Sequence, residues 1–241
     1  MRLGLLYPTR NAGEDDFLDL AGRLRPALDV AVRYFPWPSD VDDVGELDLA
    51  EVTDAVRRLG SDDHLATALR DLEPFDAVAF AVSSSSFLTD TRHQLETLRR
   101  LSGTPATSTT AAFQDAIRFL GFDSVALASV YHPSLSDRFI ARIREAGAEV
   151  VHRVDASAGS DRELAAWPAE RIIDLVARAA HPAAQVVLLP ETALHANRLT
   201  ADLERAAGCP VLTATQVTLW AAARLVGAQP TAKDAGPLFR S

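Results

Sequence analysis

Short apolar runs rich in β-formers alternate along this chain with stretches whose apolar residues recur every three to four positions, and no other feature constrains the fold as strongly. Such an order is what a parallel sheet flanked by helices produces. The pattern predicts strands at Leu3–Tyr7, Asp29–Tyr34, Ala77–Val82, Ala106–Thr107, Ser124–Ala128, Glu149–His152, Val186–Leu189 and Val211–Leu212. It predicts helices over Phe17–Leu24, Leu47–Leu59, Leu65–Leu72, Thr89–Leu101, Ala111–Leu120, Ser136–Ala146, Ala169–Ala180, Leu199–Ala206 and Val217–Val226. With 48% apolar residues in 241, a substantial core is available, in one large domain or two lobes.

An internal repeat favours two lobes. Gly103-Thr104-Pro105-Ala106-Thr107, followed by threonine and a helix ending near Gly121, is echoed by Gly208-Cys209-Pro210-Val211-Leu212, Thr215 and a helix ending at Gly227. The expected architecture is therefore α/β with two pseudo-symmetric lobes, each a parallel sheet flanked by helices, with a ligand cleft between them. The first lobe would comprise residues 1–108 with 214–241, and the second 109–213. In each half a buried strand runs into a polar turn, Ser83–Ser86 in the first and Pro190-Glu191-Thr192 in the second. Ligands bind at such carboxyl ends of strands in open α/β sheets. A pseudo-twofold pair would set the two turns facing each other; one doubly wound sheet with unrelated strand ends is the alternative.

Charge and composition exclude several partners. Acidic residues outnumber basic ones 33 to 24, a net charge of −9, with no basic block, so nucleic acid is disfavoured. The apolar start is too short for a signal peptide and no long apolar run spans a membrane, which points to the cytoplasm. The single cysteine, Cys209, permits no internal disulfide, and the six histidines show no ligand spacing, so no metal site is expected.

Several segments, in consistent order across most of the chain, resemble the maleate isomerase and arylmalonate decarboxylase family of the aspartate/glutamate racemase superfamily. Gly4-Leu5-Leu6-Tyr7-Pro8-Thr9-Arg10-Asn11 is similar to that family's first strand and Pro-Ser-x-Asn turn, whose asparagine contacts a substrate carboxylate; Asn11 matches it. Gly103-x-Pro105 with Thr109-Thr110 resembles the strand and helix closing the first lobe. Ser129-Val130-Tyr131 resembles a Thr-Pro-Tyr turn, and Tyr131 matches the substrate-binding tyrosine. Gly208-x-Pro210-Val211 with Gln216 and Trp220 resembles the closing strand and helix.

The departures bear directly on chemistry. The family's isomerases and racemases carry one cysteine per lobe, in turns like Ala-Cys-Thr-Ser and Ser-Cys-Thr-Asn, and here those turns read Ala81-Val82-Ser83-Ser84 and Pro190-Glu191-Thr192-Ala193. Valine cannot move a proton, so two-thiol chemistry is unavailable at those positions. Cys209 lies at the opposite end of its strand and reads as a small core residue.

Each candidate residue has a plainer role beside the functional one. Ser83 and Ser84 offer hydroxyls and backbone N–H groups to a carboxylate or enediolate, whereas Ser85 and Ser86 suit a cap for the helix near Thr89. Tyr131 can donate to an oxyanion or line a sheet edge. Asn11 can hold a carboxylate or close an Asx-turn, while Thr9 and Thr192 can donate from neighbouring turns, and Thr109 and Thr110 can cap their helix. Glu191 can carry the proton that a thiol carries elsewhere, its pKa raised by burial, or cap the helix beyond it. His195, one turn on, could adjust that acidity.

In the decarboxylase branch, as the resemblance implies, the first cysteine position does no chemistry, an apolar pocket expels the carboxylate, and the second position protonates the enediolate. Val82 and Glu191 would fill those two places. The expectation is a cofactor-independent lyase acting on a small carboxylate or dicarboxylate through an enolate-like intermediate. The alternatives are an isomerase or racemase with non-cysteine chemistry, a carboxylate-binding pseudoenzyme, and a non-catalytic scaffold. The remaining walls would come from Phe35–Asp42 and Gly159–Trp167, where Asp161 falls near a family binding asparagine. The resemblance also implies a homo-oligomer, which no interface motif in the sequence establishes.

Overall fold

The computed structural model describes residues 1–41 and 47–240 and contains two four-stranded, wholly parallel sheets. The first is built from β1 (Arg2–Tyr7), β2 (Asp29–Tyr34), β3 (Ala77–Phe80) and β4 (Ala106–Ser108), in the order β2-β1-β3-β4. The second uses β5 (Ser124–Ser129), β6 (Glu149–Asp155), β7 (Val186–Leu189) and β8 (Val211–Thr213), in the matching order β6-β5-β7-β8. The eight predicted strands are thus present, and the repeat read in the sequence corresponds to β4 and β8, each the last strand of its sheet.

Composition explains the strand roles. The inner strands β3 and β7, Ala-Val-Ala-Phe and Val-Val-Leu-Leu, are buried along their whole length, as strands covered on both faces must be. The edge strands β2 and β6 carry Asp, Arg, Glu and His and stay half-exposed, which discourages pairing with another chain. Gly103 and Gly208 end the helices before β4 and β8 in the same left-handed conformation, with φ of 69° and 68°. Glycine adopts that conformation without the Cβ penalty, so the two repeats turn alike.

The helices fall between the strands: α1 (Glu14–Arg23), α2 (Leu49–Leu59), α3 (Asp62–Ala68), α4 (Ser83–Leu88), α5 (Thr91–Ser102), α6 (Thr109–Leu120), α7 (Pro133–Glu145), α8 (Asp161–Ala165), α9 (Ala169–Ala179), α10 (Thr200–Ala207) and α11 (Ala214–Leu225). Two depart from expectation. The serine run does not cap a helix at Thr89 but forms the first turn of α4, and α5 is capped instead by Asp90, whose Oδ1 accepts the His93 N–H at 2.8 Å. Gly159–Trp167, expected as loop, contains α8.

One continuous apolar core runs through both lobes, and a smaller one lies on the other face of the first sheet around Leu6, Phe35, Leu59, Val78 and Phe80. The related helices α6 and α11 pack against each other, with Thr218 Oγ1 donating to Thr109 Oγ1 at 3.1 Å. The expected capping role of Thr109 and Thr110 belongs to Ser108, whose hydroxyl accepts the Ala111 N–H; Thr110 pairs with Ser86 instead. α11 also packs on β3, β4 and α1.

Candidate active site

In a sheet ordered β2-β1-β3-β4, successive connections leave β1 in opposite directions, which opens a crevice at the carboxyl ends of β1 and β3. The second sheet has the same crevice at the ends of β5 and β7. Residues from all four ends, Tyr7 and Pro8, Val82 and Ser83, Val130 and Tyr131, and Glu191 and Thr192, line one cavity of about 270 Å³. Its outer wall is apolar and comes from Trp37, Leu49, Val52, Val56, Leu88 and Leu164. Val82 and Glu191 hold corresponding places, each two residues beyond the third strand of its sheet.

Glu191 is buried in this cavity, and both of its carboxyl oxygens are engaged. Oε1 accepts the Ala193 N–H at 2.7 Å and lies 3.4 Å from the Thr192 hydroxyl, while Oε2 is 2.6 Å from Tyr131 Oη. Burial pushes the Glu191 carboxyl above the ordinary carboxylate range, against the Tyr131 hydroxyl and the Ala193 amide, and the nearby charge of Asp161 raises it further. Burial likewise pushes the Tyr131 phenol well above its usual value, and the adjacent Glu191 adds to this.

Tyr131 Oη also lies 3.0 Å from the Pro190 carbonyl, which can only accept. A phenol has one proton for two acceptors. With Glu191 protonated on Oε2, the carboxyl donates to Tyr131 and Tyr131 donates to Pro190; with Glu191 ionised, the phenol proton turns to the carboxylate. The arrangement accommodates both states of the acid. Phe87 of α4 holds the Tyr131 ring edge-on at 5.2 Å.

The first sheet contributes the Ser83 hydroxyl, buried and close enough to the Tyr131 phenol to ease its ionisation, with no hydrogen bond of ordinary geometry among the described residues. Ser84 lines the cavity beside it. Ser86 faces away, donating to the Ser83 carbonyl at 2.8 Å and pairing with Thr110 at 2.7 Å.

The first-strand turn meets the Glu191 turn directly. Tyr7 Oη donates to the Ala12 carbonyl and lies 3.1 Å from the Thr192 carbonyl, its alternative acceptor. Gly13, at φ 101°, lets the backbone come so close that a Cβ there would sit 2.7 Å from Ala193 Cα. Thr9 and Asn11 stand outside the cavity lining. Thr9 Oγ1 accepts from Trp37 Nε1 at 3.0 Å, while Asn11 is exposed at φ 58°, its N–H donating to Glu14 at 2.7 Å.

His195 is directed elsewhere, pairing with Asp15 at 2.8 Å on the surface. Cys209, at the far end of β8, does not line the cavity. His132, one of the six histidines that show no ligand spacing, lines the cavity and caps α7 by accepting the Ser134 N–H at 3.3 Å. Its place next to Tyr131 was the signal. Tyr7 was read only as part of a strand and its turn, and the helix predicted over Leu47–Leu59 corresponds to α2 without the sequence having placed it at the site. Asp42 lies outside the described residues. Among those described, no cluster of three His, Cys, Asp or Glu could hold a metal, and no helix is long and apolar enough to cross a membrane.

The family model described as arylmalonate decarboxylase matches residues 51–239. The chain belongs to the arylmalonate decarboxylase family. Within solved structures it is similar to a double mutant of arylmalonate decarboxylase in liganded form, at 24% identity and a TM-score of 0.78, covering 99% of this chain and 98% of that one. It is similar to the maleate isomerase Iso from Pseudomonas putida S16 at 17% identity and a TM-score of 0.83, covering 100% and 98%. A Nocardia farcinica maleate cis-trans isomerase mutant carrying a covalently bound succinylcysteine intermediate aligns at 17% identity and a TM-score of 0.80, covering 99% and 98%. No curated protein sequence matches the chain. At these identities the solved structures show that this member of the arylmalonate decarboxylase family has their fold.

Proposed function

We propose that this protein is a cofactor-independent enzyme that forms an enolate-like intermediate from a small carboxylate, with Glu191 as the proton donor and acceptor. The observation that carries this is a carboxyl buried at a strand end, raised in pKa, and hydrogen-bonded to a phenol that can follow its change of charge. In the decarboxylation that the family name suggests, the bond from the α-carbon to the departing carboxylate breaks and its electron pair enters the enolate. Val82 and the apolar wall leave the departing carboxylate poorly solvated, Ser83, Ser84 and Thr192 offer donors to the oxygens that stay, and Glu191 returns a proton to carbon. Tyr131 then donates to the Glu191 carboxylate until water restores its proton.

In this reading Val82 and Glu191 occupy the places that cysteines hold in the isomerases and racemases. The isomerase reading is weaker because Val82 puts nothing ionisable on the first-lobe side. A carboxylate-binding role without turnover is favoured by one observation: Tyr131 and Ala193 already engage both oxygens of Glu191. Incubation of the protein with arylmalonates and other small carboxylic acids in deuterium oxide separates the readings. An enolate-forming enzyme places one deuterium on the α-carbon of its product, and a binding protein places none.

A further inference from the structure

Two neighbouring helices of the first lobe supply much of the cavity wall. Leu49, Val52, Thr53 and Val56 come from α2, and Ser83, Ser84 and Leu88 come from α4. The two helices pack against each other. At spacings of three and four residues the α2 side chains share one face of their helix, and Gly60, which caps its C-terminus, continues that face one turn beyond Val56. Gly60 does not line the cavity. It is buried against α4 and α5 instead.

A Cβ at Gly60 would lie 2.5 Å from Ser85 Oγ, 3.1 Å from Thr89 Oγ1 and 3.2 Å from Gln94 Nε2. The first of these falls about 1 Å short of ordinary van der Waals contact. Ser85 and Gln94 are 0% and 1% exposed, so neither side chain can swing out into solvent. Gly60 has a φ of −95°, on the side that residues with a side chain adopt, so conformation does not demand glycine here. What glycine supplies is room. The Ser85 hydroxyl has no hydrogen-bond partner among the described residues, which leaves its contact with Gly60 one of packing alone.

We propose that Gly60 is a specificity-determining residue: its missing side chain lets α2 close on α4, and that closeness fixes how wide a group the cavity admits beside the carboxylate. This deepens the small-carboxylate reading and rests on it. A helix moves as a unit because each turn is hydrogen-bonded to the next. A displacement at Gly60 therefore carries Val56 and Val52 with it, away from Leu88 on α4. The same stripe of α2 is held by α4 at its C-terminal end and faces the ligand along the rest.

Crystal structures of the wild type, Gly60→Ala and Gly60→Ala/Ser85→Ala, each also titrated calorimetrically with phenylacetate and 2-naphthylacetate, test this. Both acids carry a single carboxylate and are stable to the proposed decarboxylation. Gly60→Ala should move Val56 away from Leu88 and should favour naphthylacetate over phenylacetate by at least about tenfold more than the wild type does, the low end for hydrocarbon gained in an apolar pocket. Ser85→Ala removes the 2.5 Å contact without cutting a hydrogen bond of that side chain, so both the separation and the affinity ratio should return toward wild type in the double variant. An α2 that keeps its place in Gly60→Ala overturns the inference, as does a double variant that keeps the altered ratio. Lower stability with an unchanged ratio would mark Gly60 as a structural glycine only and overturns it too. Should Gly60→Ala not fold, the double variant decides: recovered folding supports the contact, and a double variant that also fails to fold overturns it. If neither acid binds the wild type, the small-carboxylate reading fails while the crystal structures still decide whether Gly60 sets the cavity width; if both bind and the ratio does not respond, only this inference fails.

Discussion

Tyr131 Oη and Glu191 Oε2, both buried at the cavity wall, lie 2.6 Å apart, with the Pro190 carbonyl 3.0 Å from the same phenol as its alternative acceptor. The hydrogen bond from Tyr131 favours the ionised form of Glu191. Removing it in Tyr131→Phe should raise the carboxyl further, so the fall in kcat on the alkaline side should move to higher pH. An unchanged pH profile would remove Tyr131 from the site.

Asp161→Asn should move the same alkaline limb the other way. Its charge raises the Glu191 carboxyl, so the neutral amide lets Glu191 ionise at lower pH. A pH-rate profile that stays in place would mean that the two carboxyls do not interact.

Gly13 tests whether the first-strand turn sets the position of the Glu191 turn. A Cβ there would meet Ala193 Cα at 2.7 Å at a φ of 101°, so Gly13→Ala should cost about 1–3 kcal/mol in denaturant unfolding. Gly22 in α1 has nothing within 4 Å of an added Cβ, and Gly22→Ala should stabilise by about 0.5–1 kcal/mol through helix propensity. Equal effects from the two substitutions would contradict the close approach.

Much of this could be read in the sequence, for identifiable reasons. Buried parallel strands are short apolar runs, and Ala77–Phe80 and Val186–Leu189 carry that signature without competition from any polar residue. The Gly-x-Pro repeat at Gly103 and Gly208 marked the two lobes because the same left-handed turn recurs before the last strand of each. Helix α4 was hidden because Ser83–Ser86 has no helical periodicity, and serine is as much a turn former as a helix starter. Glu191 and Tyr131 could be named one by one, but not their mutual contact, since 60 residues separate them. The resemblance placed Asp161 near a binding residue, but that Asp161 and α2 line the same cavity could not be read from local pattern because about a hundred residues separate them.

Asp16 predicts how stability depends on pH. Burial raises its carboxyl from 3.8 to about 6, against hydrogen bonds from Thr215 and Asn197. A raised folded-state pKa contributes fully below pH about 4, and the contribution is lost as pH rises through about 6, by up to roughly 3 kcal/mol. Glu14, Asp19 and Glu163 are lowered and act in the opposite sense, so the difference from Asp16→Asn isolates the effect. Thr215 can donate to or accept from the new amide, and Asn197 can still donate to its oxygen. Relative to the variant, the wild type should lose Tm between pH 4 and 6; parallel Tm curves would show that Asp16 titrates normally.

The most direct test of the central claim is kcat for Glu191→Gln on the acid for which the wild type incorporates solvent deuterium. Glutamine keeps the shape of Glu191 and the acceptor for the Ala193 N–H while removing the proton. Turnover should fall by about a hundredfold or more, the usual contribution of a positioned general acid, with ligand affinity nearly unchanged. A Glu191→Gln protein as active as the wild type would contradict the account.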